Sequence, residues 1–154
     1  MSKSHVATVS VTRPNDTTQY AAGEVVGAGA ASMRFGVDSP QGRITSVILI
    51  DSVVAGGIKP ECDLLLYSED ITVAADNAAF APTDAQAATL VAVIPFLAAN
   101  FKAATANGVI VSALTADIPF QATPNGLLYG VLVARNTYTP TALEVFTVKL
   151  GTVS

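Results

Sequence analysis

The residues that could do chemistry in this chain are few, and their spacing supplies no catalytic set. His5 is the only histidine and Cys62 the only cysteine among 154 residues. A Ser-His-Asp or Cys-His arrangement would have to use His5, which lies at the start of the first predicted strand, a poor place for a positioned base. One cysteine and one histidine are also too few ligands for a zinc site. We therefore predict no catalytic residue, no metal-binding residue and no cofactor.

The acidic residues leave two further alternatives open, a calcium site and a glycosidase pair. Glu69-Asp70 and Asp76-Asn77 flank a short predicted strand and could bring oxygen ligands together. The spacing and the glycine of an EF-hand loop are absent, and nothing in the sequence selects two carboxylates as a glycosidase pair. The pattern favours solvated turn carboxylates at these positions.

Charge is scarce throughout the chain. Hydrophobic residues make up 51% and charged residues 13%, with a net charge of −4, whereas about a quarter of residues are charged in an ordinary soluble protein. Because interface cores are depleted in charge, this composition favours a surface partly covered by partner subunits over a free domain coated in uncharged polar residues. The eight Lys and Arg residues form no cluster, so we predict no nucleic-acid partner.

The longest uncharged segment, residues 85–101, is interrupted by Pro95 and Asn100. Its apolar runs are much shorter than the roughly 20 residues that span a bilayer, so we predict no membrane partner. No apolar segment follows the polar first five residues, and no secretory signal is expected.

Short segments of alternating polarity, separated by turn residues, predict an all-β fold. In residues 5–13, Ala7, Val9 and Val11 alternate with hydroxyl side chains, and Pro14 ends the strand. Further strands are predicted over residues 23–26, 33–37, 43–54, 62–67, 109–114, 118–120, 127–134 and 144–150. A jelly-roll-like antiparallel β-sandwich closes a set of about eight strands with little exposed edge.

The strand over residues 43–54 is predicted to be central. Ile44, Ile48 and Ile50 alternate along one face, and Val47 and Leu49 along the other. We expect such a strand to be covered on both sides. The side chains predicted to be buried in the core are Ile48, Leu132, Phe146 and Val148.

Residues 71–95 are the irregular part of the pattern. Thr83 or Asp84 can cap a short helical turn near residues 84–89. Residues 90–94 fit either an extension of that helix or a strand, and the sequence leaves both open.

The predicted organisation is a short N-terminal arm, residues 1–4, followed by a single domain, residues 5–154. We expect the arm to become ordered against a neighbouring chain. Residues 85–101 are apolar without a clear buried face, so they are predicted to form either an interface or simple core. The candidate interface residues are Met1, Ser2, Lys3, Ser4, Leu90, Val91, Phe96, Leu97 and Phe101.

Three stretches of the chain resemble small structural proteins of tailed double-stranded DNA phages. The first, residues 12–25, reads TRPNDTTQYAAGEV. The second reads ADNAAF at residues 75–80 and continues through Thr83-Asp84 to Ile94-Pro95-Phe96. The third reads LYGVLV at residues 128–133, followed by Arg135, YTP at 138–140 and EVF at 144–146. In order, the three cover most of the chain from Thr12 to Leu150.

The resemblance implies a capsid decoration (cement) protein, a jelly-roll homotrimer on the capsid surface of a virion assembled in the host cytoplasm. The implied partners are the phage major capsid protein, whose subunits it would bridge, and other copies of itself. No active-site residue is implied. A tail, baseplate or head-fibre component and a carbohydrate- or receptor-binding β-sandwich module stay open as alternatives.

Overall fold

A computed structural model describes residues 2–27, 29–52, 59–105 and 108–154, with side chains described outside 103–114. These residues form ten strands, one four-residue helical turn and one three-residue 3-10 turn, Ala98–Asn100. The strands are β1 (Ser4–Thr12), β2 (Val25–Val26), β3 (Met33–Gly36), β4 (Gln41–Asp51), β5 (Cys62–Tyr67), β6 (Leu90–Phe96), β7 (Phe101–Thr105), β8 (Gly108–Gln121), β9 (Leu127–Ala134) and β10 (Val145–Val153). The predicted all-β fold class is confirmed.

The strands form two antiparallel sheets. The first sheet has the order β1-β10-β4-β8-β7, and the second has the order β2-β9-β5-β6, with β3 also paired to β9. Without the short strands β2 and β7, the eight remaining strands can be counted 1 to 8 along the chain. The first sheet then has the order 1-8-3-6, and the second sheet, starting from β3, has the order 2-7-4-5. This is the strand order of a jelly roll, which confirms the predicted sandwich.

Strand β4 lies in the middle of the first sheet, but its facing differs from the prediction. The register shifts between Ile44 and Ser46 against β8, so Ile44 points to the same side as Val47 and Leu49. These three side chains are buried, whereas Ile48 is half-buried on the outer face. The predicted burial of Ile48 was wrong because a bulge inserts one residue into the alternation. The predicted end of this strand at Val54 lies outside the described residues.

The main core fills the space between the two sheets. Leu132, Phe146 and Val148 are buried there, as predicted. They pack with the inward side chains of β4, β5 and β6, which include Leu49, Leu64, Leu66, Ile94 and Phe96. Because each of these strands sends alternate residues inward, the two sheets together bury one continuous apolar layer.

The second sheet also buries its outer face. Tyr129, Val131 and Val133 of β9 point away from the main core and form a second cluster with Val25 and Tyr67. Residues 71–80 cover this cluster, with Ile71 and Val73 buried and Phe80 packed against it. The predicted short strand between Asp70 and Asp76 is absent, since the structure gives residues 70–75 no strand.

The segment after this cover begins with the expected cap. The helical turn α1 (Asp84–Ala87) has Thr83 as its N-cap, and a reciprocal bond pairs the Thr83 hydroxyl with the Gln86 amide and the Gln86 side chain with the Thr83 amide. Residues 90–94, which the sequence left open between helix and strand, belong to β6.

The two chain ends run side by side. Ser4 is the first residue of β1, and the backbone of Lys3 exchanges two hydrogen bonds with that of Ser154, at 3.2 and 3.0 Å. Met1 lies outside the described residues. The role of residues 1–4 as an arm on a neighbouring chain stays a prediction. In the described residues, no helix has the length and apolar character needed to cross a membrane.

Candidate functional site

The sequence-predicted interface residues fall into three environments. Ser2, Lys3 and Ser4 are exposed beside the C-terminus. The large side chains divide: Leu90 and Leu97 are exposed, Val91 and Phe101 are half-buried, and Phe96 lies in the main core with 1% exposure. The Phe96 side chain is therefore not available at a surface, and the interface as a whole stays a prediction.

Exposed apolar side chains form a stripe along β6. Leu90, Val93 and Leu97 are 41%, 47% and 50% exposed. Pro95 lies between them and is also exposed. No charged residue occurs between Asp84 and Lys102, so the stripe residues carry no charge themselves. The nearest charged pair is Asp63 and Arg135, with Asp63 opposite Pro95 on β5.

The two residues first considered for chemistry are not placed for catalysis. His5 lies with Nδ1 3.2 Å from an Asp38 oxygen and Nε2 3.1 Å from the Gly36 carbonyl oxygen, so both ring nitrogens have partners. Cys62 is buried, and its burial raises the pKa of the thiol well above the usual range. A buried thiol of this kind behaves as a small apolar group.

A buried polar cluster, built on Arg13, is the most organised polar arrangement among the described residues. Arg13 follows the end of β1, and its side chain has no exposed surface. Its Nη2 donates to Asp76 Oδ2 at 2.9 Å and to Asn77 Oδ1 at 3.2 Å, and its Nε donates to the Tyr20 hydroxyl. The guanidinium carbon also lies 4.7 Å from the centre of the Tyr20 ring, a cation–π distance.

Asp76 is the counter-charge in this cluster. Its side chain is 7% exposed. It accepts from Arg13, from the Tyr20 hydroxyl and from the amide of Gly27 at 3.0 Å. Because a buried charge is tolerated only when it is paired and hydrogen-bonded, Asp76 ties the segment that covers the second sheet to the loop after β1. The prediction of a solvated turn carboxylate was wrong for Asp76.

Asn77 adds a second connection at the same point. Its backbone has a φ of 61°, a left-handed conformation in which asparagine is tolerated better than most residues. Its side-chain amide donates to the carbonyl oxygens of Gln19 at 3.1 Å and Thr18 at 3.4 Å. The turn at residues 76–77 is therefore held by the loop that follows β1.

Tyr138 and Glu144 extend the cluster to the loop before β10. The rings of Tyr20 and Tyr138 stack with centroids 6.4 Å apart and planes inclined by 3°. The Tyr138 hydroxyl donates to Glu144, which is 2% exposed and also accepts from the Thr141 amide at 2.8 Å. The Glu144 carbonyl in turn accepts from the Arg13 amide at 2.8 Å. Three separate loops thus meet in one hydrogen-bonded unit.

The environment favours the protonated forms of Tyr20, Tyr138 and Arg13. Burial, reinforced by the hydrogen bond to Asp76, raises the pKa of Tyr20 far above its usual range. Burial and the hydrogen bond to Glu144 do the same for the pKa of Tyr138. Burial lowers the pKa of Arg13, but its contacts with Tyr20 and Asp76 outweigh this and raise it. Both hydroxyls therefore remain donors at neutral pH.

The chemistry that this arrangement supports is structural. The charged side chains of Arg13, Asp76 and Glu144 each have hydrogen-bond partners within the cluster. Among the described residues, no three His, Cys, Asp or Glu side chains lie together in a way that could hold a metal ion. Asp70, part of the other candidate pair, contacts Ser32 and Arg34 instead, so the two acidic pairs do not form one site.

The residues of this cluster are those of the three resembling stretches. Arg13 and Tyr20 belong to the first, Asp76 and Asn77 to the second, and Tyr138 and Glu144 to the third. The Tyr20 hydroxyl is hydrogen-bonded, and Gly23 turns the chain with a φ of 93°. The sequence interpretation missed that the three stretches meet, because nothing in a single sequence gives distances between loops.

No protein-family model matches the chain, and no curated protein matches it. Solved structures similar to it include a chain of the cyanophage Pam1 capsid asymmetric unit, at 14% identity and a TM-score of 0.43, covering 99% of this chain and 85% of that one. Another is the acidic stable capsid of Helicobacter pylori bacteriophage KHP30, at 11% identity and a TM-score of 0.34, covering 100% and 94%.

A carbohydrate-binding module of the β-sandwich superfamily is also similar, at 10% identity and a TM-score of 0.29, covering 97% of this chain and 54% of that one. At these TM-scores and identities the similarities carry no inference about function. The fold assignment rests on the strand order of the two sheets.

Proposed function

We propose that this chain is a structural protein of a tailed phage particle, a capsid decoration (cement) protein that binds the outside of the head and bridges major capsid subunits. One observation carries the proposal. The three stretches that resemble small phage virion proteins supply the buried cluster of Arg13, Tyr20, Asp76, Tyr138 and Glu144. The residues that carry the resemblance therefore form the hydrogen bonds that join three loops of the jelly roll. This is expected if they belong to a framework that the chain shares with those phage proteins.

The contact surface that we propose is the β6 stripe, Leu90, Val93 and Leu97. Its exposed apolar side chains and lack of charge are properties of interface cores. We propose that the protein assembles as a homotrimer and that the stripe contacts either another copy or the capsid subunit. Binding to the assembled lattice, but not to free subunits, would stabilise the shell by mass action.

A glycan-binding function has less support from the side chains. Sugar-binding sites commonly offer exposed aromatic rings, but all four tyrosines are buried here, with exposures between 1% and 8%. No phenylalanine in the described part of the chain is exposed, since Phe80 and Phe101 are half-buried and the other four are buried. A stacking platform for a sugar ring is therefore missing from the described surface.

The test is an add-back experiment on particles that lack this protein. Purified wild-type protein is bound to the stripped particles, and the temperature at which DNA is released is measured with a fluorescent dye. We expect wild-type protein to raise the release temperature and to bind in hundreds of copies per particle. Equal release temperatures with and without the protein would contradict the cement function, and a handful of copies would indicate a tail or fibre component.

Two matched variants test the surface. Leu97→Asn places an amide in the stripe, and Leu143→Asn makes the same change at a residue of similar exposure, 50% and 55%, outside it. Leu143 has a φ of 58°, which asparagine tolerates well, so the control should fold. We expect Leu97→Asn to reduce particle binding and Leu143→Asn to leave it unchanged. Equal binding of both variants would exclude Leu97 from the interface.

A further inference from the structure

The edges of the two sheets differ in how well they are protected from pairing with another strand. Strand β6 contains Pro95, and β3 is four residues long with an exposed Arg34. Strand β7 has five residues and a register shift against β8. Prolines, charges, short strands and bulges are the features that discourage edge pairing. Strand β1 has none of them: its nine residues pair with β10 in unbroken register and include no proline, lysine or carboxylate.

The register shows which backbone groups of β1 face outward. Lys3 and Ser154 exchange both backbone hydrogen bonds, and the Arg13 amide donates to Glu144. In an antiparallel ladder these bonded pairs recur at every second residue, so the odd-numbered residues from 3 to 13 bond to β10. The amides and carbonyls of the even-numbered residues point away from the sheet. They are Ser4, Val6, Thr8, Ser10 and Thr12.

These five residues have no backbone partner in the part of the chain that the structure describes. Their side chains are all exposed on the outer face of the first sheet. At about 3.4 Å per residue, the strand presents an edge roughly 30 Å long. An edge of this length with free donors and acceptors can pair with an extended segment of five residues or more.

A groove lies beside this edge. Its volume is about 400 Å³, and Val9 and Val11 of β1 line one side while Ala31, Met33 and Arg34 line the other. A strand paired to β1 would direct alternate side chains towards this groove. Arg34 is already paired with Asp70 at 2.9 Å, so a charged segment would find no free counter-charge among these lining residues.

We propose that the β1 edge is a strand-addition site for an extended, uncharged segment of another polypeptide, with small apolar residues at alternate positions. The main-chain bonds would come from the five even-numbered residues of β1, and the groove would take the apolar side chains. The inference is independent of the proposed function, because the edge can be tested with a peptide alone.

The probe is a capped peptide with the sequence of β1 itself, SHVATVSVT. It is uncharged apart from its histidine and alternates small apolar and hydroxyl residues. Paired antiparallel to β1 through even-numbered residues, it places its His5, Ala7, Val9 and Val11 side chains on the groove side and its Val6 side chain on the outer face. Binding is measured by fluorescence anisotropy, and amide hydrogen exchange is followed on the protein. We expect binding to slow exchange at Val6, Thr8 and Ser10.

Two variants of the protein test the edge. Thr8→Pro removes an outward-facing amide without removing a bond to β10, a position where an edge strand accepts proline. Thr8→Ala keeps the amide and is the matched control. We expect Thr8→Pro to weaken peptide binding about tenfold or more and Thr8→Ala to change it less than about twofold.

Two peptides repeat the test on unmodified protein, in case Thr8→Pro does not fold. N-methylation of the peptide's Thr8 amide removes a hydrogen-bond donor that would face β1 and should weaken binding. N-methylation of its Val9 amide, which points away from β1, should not. Equal binding of the two methylated peptides, or no binding of the parent peptide at about millimolar concentration, would overturn the proposal. Dimerisation of the intact protein that Thr8→Pro abolishes would instead assign the edge to a second copy.

Discussion

The outer faces of the two sheets are treated differently by the same chain. On the second sheet, Val131 and Val133 are buried beneath residues 71–80. On the first sheet, the outward residues of β1 and β10, such as Thr8, Ser10 and Thr147, remain exposed or half-buried. In the described part of the chain, residues 71–80 thus close one face, whereas the β1 and β10 side of the other is left for solvent or for a partner.

The difference in coverage follows the sequence patterns of the strands. Strand β9 reads LLYGVLVA and is buried at seven of its eight positions, whereas β10 reads VFTVKLGTV and alternates over most of its length. A continuous apolar run is typical of a strand covered on both faces, and alternation is typical of one covered face. The comparison teaches that the sequence indicates how many faces are covered, but not which segment covers them.

The largest expected loss of stability comes from weakening the contacts that hold residues 71–80 against the second sheet. In Arg13→Met, Asp76, whose side chain is 7% exposed in the wild-type protein, loses its counter-charge. Breaking one partner of a buried ion pair costs about 3–5 kcal/mol, and we expect a loss of that size in the free energy of unfolding, measured by urea denaturation.

The matched control is Arg43→Met, which removes an arginine from the exposed pair with Asp117 on the first sheet, where the side chains are 50% and 74% exposed. Because water screens an exposed pair, we expect a much smaller loss from this variant. If the two variants lose the same stability, the buried cluster is not what holds residues 71–80 in place.

The fold was largely predictable from the sequence, and the cluster was not. Alternation and turn residues located most strands, and the N-cap, Thr83, is one of the two residues expected to cap the helical turn. The facing of Ile48 was wrong because a bulge leaves no mark in the alternation. Asp76 looked like a turn carboxylate because its partner Arg13 is 63 residues away, and a single sequence does not reveal a contact of that range.

An intermediate loss of stability is expected when a valine on the outer face of the second sheet is shortened, and the same change on the outer face of the first sheet is the comparison. Val131 is 2% exposed on the second sheet, and Val6 is 60% exposed on the first. Val131→Ala removes buried methyl groups and should cost about 1.5–3 kcal/mol, whereas Val6→Ala should stay within about 0.5 kcal/mol. Urea denaturation of both variants gives the comparison, and a large loss for Val6→Ala in the isolated protein would mean that the first face is also covered.

The smallest expected effect is a difference in the slope of stability against pH. The Tyr138 hydroxyl donates to buried Glu144, and burial followed by this bond raises its pKa. Above the ordinary tyrosine pKa of about 10, the unfolded chain loses this proton while the folded chain keeps it, so folding is disfavoured as pH rises, by about 1.4 kcal/mol per pH unit.

Tyr138→Phe removes this titration and leaves those of Tyr20 and Tyr67, whose pKa values are also raised. Although the variant should be less stable at neutral pH, because Glu144 loses a donor, its stability should fall less steeply. We expect the wild-type slope between about pH 10 and 11.5 to exceed the variant's by about 1.4 kcal/mol per pH unit in urea titrations. Parallel slopes would mean that the hydroxyl ionises as readily in the folded protein as in the unfolded chain, which the buried bond to Glu144 does not allow.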